Sequence, residues 1–147
     1  ALTYWGAHRW MKATRPWRPI GSGRQRRLNG ATRWLEMWQM LRGEVWWVEF
    51  DPSVGSEIRK TRPAVIVSND TANRYTERVV VVPMTSNTGR VYPCEAVVSA
   101  GGQSSKVMAD QIMTADKRRL KSMLCRLSNE DMRAVEDVIR VHLGLPL

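Results

Sequence analysis

Two short apolar runs constrain how this chain can fold, Ala64-Val65-Ile66-Val67 and Val79-Val80-Val81-Val82. Each is too short for a stable helix, rich in β-branched side chains, and apolar on both alternating faces. That pattern predicts strands buried on both sides. Pro63 sits inside the entrance of the first run and Pro83 follows the second. A residue before proline is pushed into extended geometry, so Arg62 is expected at a strand entrance. Pro83 cannot donate to a ladder and is expected to end its strand. If the two runs are antiparallel neighbours, the start of one lies beside the end of the other. Arg62 and Thr85 then meet at one edge of the sheet. The loop before Arg62 carries Glu57, Arg59 and Lys60. Fixed charge at a strand end suits chemistry on a phosphate.

The rest of the patterned sequence reads as more short strands and one helix. Glu44–Phe50 alternates valines and large aromatics with acids, as a strand does. Asp51–Ser56 is turn chemistry and opens a loop to Thr61, longer than a tight hairpin needs. Asn69–Asn73 reads as a polar loop, Met84–Gly89 as a polar exit from the second run, and Ser99–Ser105 as a turn. Val91–Val98, Lys106–Ala109 and Leu120–Leu127 are expected strands, with one helical turn over Ala115–Arg119. Ser128-Asn129-Glu130-Asp131 predicts a capped helix start. Met132, Val135, Val138, Ile139 and Leu143 then share a face, with His142 on or beside it in a structural role, and Gly144 and Pro146 close the helix. Antiparallel strands plus a C-terminal helix predict an α+β domain built on a small barrel.

Charge divides the chain. The net charge is +9 over 147 residues, but residues 1–40 hold eight Lys/Arg against one acid. Residues 41–147 hold fifteen against thirteen, so the high pI does not by itself make the patterned part a nucleic-acid binder. Residues 1–40 also carry five of the seven tryptophans. Two readings fit that segment: a basic aromatic arm for RNA, or a poorly ordered, non-native prelude to a natural start at Met40-Leu41-Arg42-Gly43. No apolar run approaches the roughly 20 residues of a membrane helix, and no secretory pattern is evident. Cys94 and Cys125, with His8 and His142 far apart, give no metal-ligand spacing. The thiols read as reduced core residues of a cytoplasmic protein, a disulfide being the alternative.

A guanidinium, a carboxylate and a hydroxyl at one rim suit cleavage of an RNA phosphodiester. The 2′-hydroxyl of the nucleotide can be the nucleophile, so neither an enzyme nucleophile nor a cofactor is required. Glu57 can take its proton, Arg62 can hold the charged oxygens, and Thr85 can hydrogen-bond one of them. On residue types alone, surface ion pairs and turn hydroxyls explain the same side chains.

The order of motifs adds to that reading. Arg42-Gly43-Glu44-Val45-Trp46, Asp51-Pro52 with Gly55-Ser56-Glu57, Arg62-Pro63-Ala64-Val65-Ile66-Val67-Ser68 and Val82-Pro83-Met84-Thr85-Ser86 resemble the MazF/PemK family of toxins. Tyr92-Pro93, Asp110-Gln111-Ile112 and Asp116-Lys117-Arg118-Arg119-Leu120 extend the resemblance across residues 42–143, and within the family the sequence looks close to actinobacterial, mycobacterial members. The resemblance implies an SH3-like barrel with a C-terminal helix, acting as a homodimer. It implies metal-independent, sequence-specific cleavage of single-stranded RNA to a 2′,3′-cyclic phosphate and a 5′-hydroxyl. The family's catalytic arginine falls on Arg62, its threonine on Thr85 and its loop glutamate on Glu57. Ser86 and Gln111 fall near bound RNA, and Arg59, Lys60 and Asn87 complete the expected RNA-contacting set. A MazE-like acidic antitoxin is the implied partner, lying over the same groove. Three features depart from the family pattern: the basic prelude, Cys94 after Tyr92-Pro93, and Ile58-Arg59-Lys60-Thr61, more basic than the loops of some relatives.

Two rival readings make different demands. A gyrase-binding poison of the CcdB type shares the fold but works through its C-terminal helix end. Here Gly144-Leu145-Pro146-Leu147 carries no aromatic, whereas the rim carries Arg62 and Thr85. A general RNA-binding module rests on the first forty residues and predicts loss of RNA binding when they are removed.

Overall fold

The computed structural model of the chain describes residues 40–147. The expected basic arm lies outside the described residues except for Met40, which is fully buried beside Val48 and Phe50. Seven strands form one curled antiparallel sheet, a half-barrel, with the C-terminal helix packed on one face. The strands are β1 (Glu44–Glu49), β2 (Thr61–Ile66), β3 (Arg78–Thr85), β4 (Glu95–Ala100), β5 (Gln103–Met108), β6 (Met113–Asp116) and β7 (Leu120–Arg126). The helices are α1 (Asp70–Tyr75) and α2 (Asn129–Leu143). The sheet order is β4-β5-β3-β2-β1-β7, with β6 also pairing with β3.

β3 is the pivot of the curl. Its first half pairs with β6 (Arg78–Val81 against Met113–Asp116), and its last two residues pair with β5 (Met84 with Val107, Thr85 with Lys106). The sheet thereby splits around one strand and bends over itself. The two apolar runs are antiparallel neighbours, in the register Ala64 with Pro83, Val65 with Val82 and Ile66 with Val81. Both are buried on both faces. Val65, Val67, Val82 and Met84 enter one core with Val98, Val107, Leu127 and the Val135 and Val138 face of α2. Ala64, Ile66, Val79 and Val81 enter the other with Met40, Val48, Phe50 and Leu120. At roughly 1.5–3 kcal/mol per buried aliphatic side chain, these runs are a main source of stability.

Several boundaries differ from the sequence reading. Pro83 does not end β3, which runs on to Thr85. Val80 directs its carbonyl to Val67 N–H and its own N–H to Ser68 Oγ, on the β2 side. Alternation therefore points the Pro83 nitrogen to the other side, in the interval between β6 pairing and β5 pairing, where no donor is required. Asn69–Asn73 is not a loop: Asn69 Oδ1 accepts from Ala72 N–H at 2.8 Å and caps α1. Asn73 is buried, donating Nδ2 to the Ser68 carbonyl at 3.0 Å. Val91–Cys94 is not strand, because β4 starts at Glu95; the Tyr92 amide is held by the Glu95 carboxylate, and Pro93 has no amide to give a ladder. Ala115 and Asp116 lie in β6, and the helical turn is confined to Lys117–Arg119, a 3₁₀ turn capped by Asp116.

The C-terminal helix follows its sequence signals. Ser128 Oγ accepts from Asp131 N–H at 3.0 Å, and Gly144 adopts φ 66° at the C-cap. His142 is exposed near the helix end and not against the core. Cys94 and Cys125 are half-buried free thiols.

Candidate active site

The loop between β1 and β2 is tied at its base by backbone and side chains together. Phe50 N–H donates to the Lys60 carbonyl, and Lys60 N–H donates to Asp51 Oδ2, both at 3.0 Å. Arg119 spans from the far side, donating to the carbonyls of Glu49 and Asp51 at 3.1 Å each. Lys60 takes φ 65°, a left-handed turn that lysine adopts at some cost and that the paired contacts around it enforce.

Inside the loop, Glu57 Oε2 accepts from Val54 N–H at 2.9 Å and Glu57 N–H donates to the Val54 carbonyl at 3.2 Å. Arg59 reaches back to the Gly55 carbonyl at 2.8 Å, and Arg62 donates Nε to the Arg59 carbonyl at 3.2 Å. One carboxylate oxygen of Glu57 and the two terminal nitrogens of Arg62 carry no hydrogen bond among the described residues. Arg62 has no ion-pair partner among the described residues. Its charge is held in place by a neutral carbonyl and stays uncompensated.

Arg62 lies within β2, opposite Val48 of β1, rather than at the strand's very start. Extending the β2–β3 register by two residues sets it across from Thr85. The edge meeting inferred from antiparallel pairing is therefore present. Both residues line a cleft of about 460 Å³. Loop residues 55–59 form one wall, with Met108 and Gln111 from the end of β5 and the 3₁₀ turn Ala109–Gln111 opposite. Thr85 Oγ1 accepts from Asn87 N–H at 3.2 Å, which leaves its own proton free to donate.

Of the eight residues singled out in the sequence, the cleft brings together Glu57, Arg59, Arg62, Thr85 and Gln111. Lys60, Ser86 and Asn87 do not line it. Lys60 closes the loop with its backbone, and Asn87 Oδ1 accepts from Gly89 N–H at 3.3 Å to turn the chain after β3. The sequence reading missed Met108 and Ile58, which give the cleft an apolar side. Nothing in their local pattern separates them from core residues; only the pairing of β5 with β3 brings Met108, two residues beyond Thr85's partner Lys106, to the cleft.

The curled antiparallel sheet and its C-terminal helix thus carry a loop-walled cleft, holding Arg59 and Arg62, where β2 meets β3. The family described as PemK-like, MazF-like toxin of type II toxin-antitoxin system matches residues 41–143. The chain belongs to this family. It is 40% identical over 115 residues to endoribonuclease MazF9 of Mycobacterium tuberculosis strain ATCC 25618 / H37Rv, covering 72% of this chain and 98% of that protein. Its structure is similar to a solved endoribonuclease from a mycobacterial species, with a TM-score of 0.63 and 30% identity over 74% of this chain and 95% of that one. It is also similar to a mycobacterial endoribonuclease solved in complex with its cognate antitoxin, with a TM-score of 0.62 and 30% identity over 73% and 97% of the two chains.

Proposed function

We propose that the chain is the toxin of a type II toxin–antitoxin pair, a sequence-specific endoribonuclease that cleaves single-stranded RNA without a metal and so stops translation and growth. The carrying observation is the uncompensated Arg62 guanidinium set across from Thr85 on rigid strands, with Glu57 on the facing loop. A phosphodiester entering this cleft meets the two free terminal nitrogens of Arg62, which neutralise the non-bridging oxygens as negative charge builds. Thr85 Oγ donates to one of them. The free oxygen of Glu57 takes the proton of the 2′-hydroxyl. The 2′-oxygen forms its bond to phosphorus as the bond to the 5′-oxygen breaks, leaving a 2′,3′-cyclic phosphate. The departing 5′-oxygen takes a proton from water, since a guanidinium with a pKa above about 12 is a poor acid.

Arg59 and Gln111 extend the polar lining along the strand of RNA, and Ile58 and Met108 offer apolar contact to bases. Lys60, Ser86 and Asn87 lie just outside and contact flanking nucleotides. The similarity to a toxin solved with its antitoxin supports a partner of the same kind here: an acidic, MazE-like segment that covers the cleft, drawn by Arg59 and Arg62. The working form is a homodimer in the cytoplasm.

The test is substitution at the rim. Arg62→Ala is expected to lower cleavage of a long unstructured RNA by about 10²–10³-fold with an unchanged circular dichroism spectrum. Full activity in Arg62→Ala would sink the assignment.

A further inference from the structure

One buried ion pair has no part in the chemistry above. Lys106 of β5 and Glu95 of β4 meet at 2.9 Å, and their side chains are only 9% and 8% exposed. Among the described residues no other ion pair is buried on both sides. Lys106 is the direct register partner of Thr85. Paired residues of an antiparallel ladder project to the same face with Cβ atoms about 4.5–5.5 Å apart. Lys106 therefore stands beside Thr85, on the face that two residues later carries Met108 of the cleft.

What the pair does is visible in its remaining contacts. Lys106 Nζ donates to the Arg90 carbonyl at 2.6 Å, and Glu95 Oε2 accepts from Tyr92 N–H at 2.8 Å. The two side chains thus grip two backbone points of the strap 86–94 that leaves Thr85. Tyr92 lies across the pair, its ring centroid 6.0 Å from Nζ, and the Arg90 guanidinium stacks on the same ring at 4.8 Å. A buried ion pair is weak grounds for stability, because well-packed apolar residues often do as well. Apolar residues cannot, however, hold a carbonyl and an amide at fixed points.

We propose that Glu95 and Lys106 are positioning residues for RNA cleavage: by clasping the strap at Arg90 and Tyr92 they fix the end of β3, and with it the Thr85 hydroxyl, against the cleft. This rests on the nuclease reading above. Neither residue touches the reacting phosphate. Their effect passes through the strap to Thr85, where a displacement of about 1 Å can cost on the order of 10²-fold in rate.

The test uses the full chain and a steady-state assay over a range of concentrations of a defined single-stranded RNA that the wild type cuts and Arg62→Ala cuts far more slowly. Lys106→Met leaves Glu95 buried without its partner and is expected to lower both the melting temperature and the cleavage rate. The double variant Glu95→Leu/Lys106→Met removes both charges. Its melting temperature is expected to recover toward that of the wild type, while kcat stays at least about 10-fold down with KM little changed. Glu95→Gln keeps an acceptor for the Tyr92 amide but weakens the grip of Lys106; a kcat lowered about 3-fold or more is expected, and the same comparison serves if the double variant does not fold. Activity that recovers together with stability in the double variant, or an unchanged kcat in Glu95→Gln, would overturn the clasp while leaving the nuclease reading intact. RNA left whole by the wild type would overturn the nuclease reading, and the clasp falls with it.

Discussion

At the scale of single residues, the proposed function rests on where polar groups are left unpaired. Arg62 gives only Nε to the protein, and Glu57 gives only one carboxylate oxygen. Thr85 accepts a hydrogen bond without using its proton. Thr85→Ala is accordingly expected to lower the cleavage rate by about 10–100-fold in a single-turnover assay, less than Arg62→Ala, because one neutral donor is lost instead of a charge. That Arg62 and Thr85 share one cleft was legible in the sequence because they flank the two apolar runs, and strand pairing then decides the rest. Lys60, Ser86 and Asn87 were not separable from them, since a basic or hydroxyl side chain near a strand end has the same local signature whether or not it faces the cleft.

A residue far from the cleft gives the clearest pH signature. The Asp116 carboxyl is lowered from 3.8 to about 2, chiefly by the side-chain hydrogen bond from Arg118 and then by Arg118 N–H. A folded-state value below the unfolded one means that this contact favours the fold fully above about pH 3.8 and is lost as pH falls toward 2. Following the Asp116 carboxyl carbon by NMR should place its titration well below that of an ordinary aspartate and show it rising toward the ordinary value in Arg118→Ala. An unmoved titration in that variant would contradict the assigned cause.

At the scale of elements, the β1–β2 loop is a wall of the cleft because its ends are fastened. Arg119 holds the carbonyls of Glu49 and Asp51 together. Arg119→Ala should lower kcat/KM by about 10-fold, since the wall that carries Glu57 loses its brace, while the melting temperature shifts only slightly. Rates equal to the wild type would show that the loop keeps its shape without the brace. The C-terminal helix depends on its cap: Ser128→Ala is expected to cost about 1 kcal/mol in urea denaturation, with cleavage by the folded fraction unchanged. That helix was readable in its Ser128 cap, its Val135 and Val138 face and its Gly144 stop, because capping and 3.6-residue periodicity are local. His142 and Leu143, expected on or beside that face, are exposed in the last turn. The strap 86–94 was not readable in this way. Its apolar Val91 and Tyr92 imitate a strand start, and only the Glu95 carboxylate, acting across three residues, takes the Tyr92 amide out of the ladder. Likewise Pro83 ends a strand in the local view, but the change of partner from β6 to β5 leaves its missing donor without consequence.

At the scale of the whole molecule, the central strands β2 and β3 are buried on both faces, and the cleft sits where they meet the free rim. The cores on the two faces share β2 and β3, so core and site are mechanically one piece. Val65→Ala should destabilise by about 2 kcal/mol or more by leaving a cavity beside α2. Among the described residues no helix is long and apolar enough to cross a membrane. The barrel and the terminal helix were both legible from short apolar runs and one capped periodic segment. The split of the sheet around β3 was not, because it depends on which distant strand arrives at each half.

The central claim is that RNA supplies its own nucleophile and this cleft supplies the charge. The most direct measurement is cleavage of one single-stranded RNA by the full chain in excess EDTA, with the fragment ends mapped. The cut is then repeated on the same RNA carrying a single 2′-deoxy nucleotide at the cleaved position. The account predicts a discrete cut with 5′-hydroxyl and 2′,3′-cyclic phosphate ends on the first substrate, and none at that position on the second. A cut that persists at the 2′-deoxy nucleotide, or one that needs the metal EDTA removes, would contradict it.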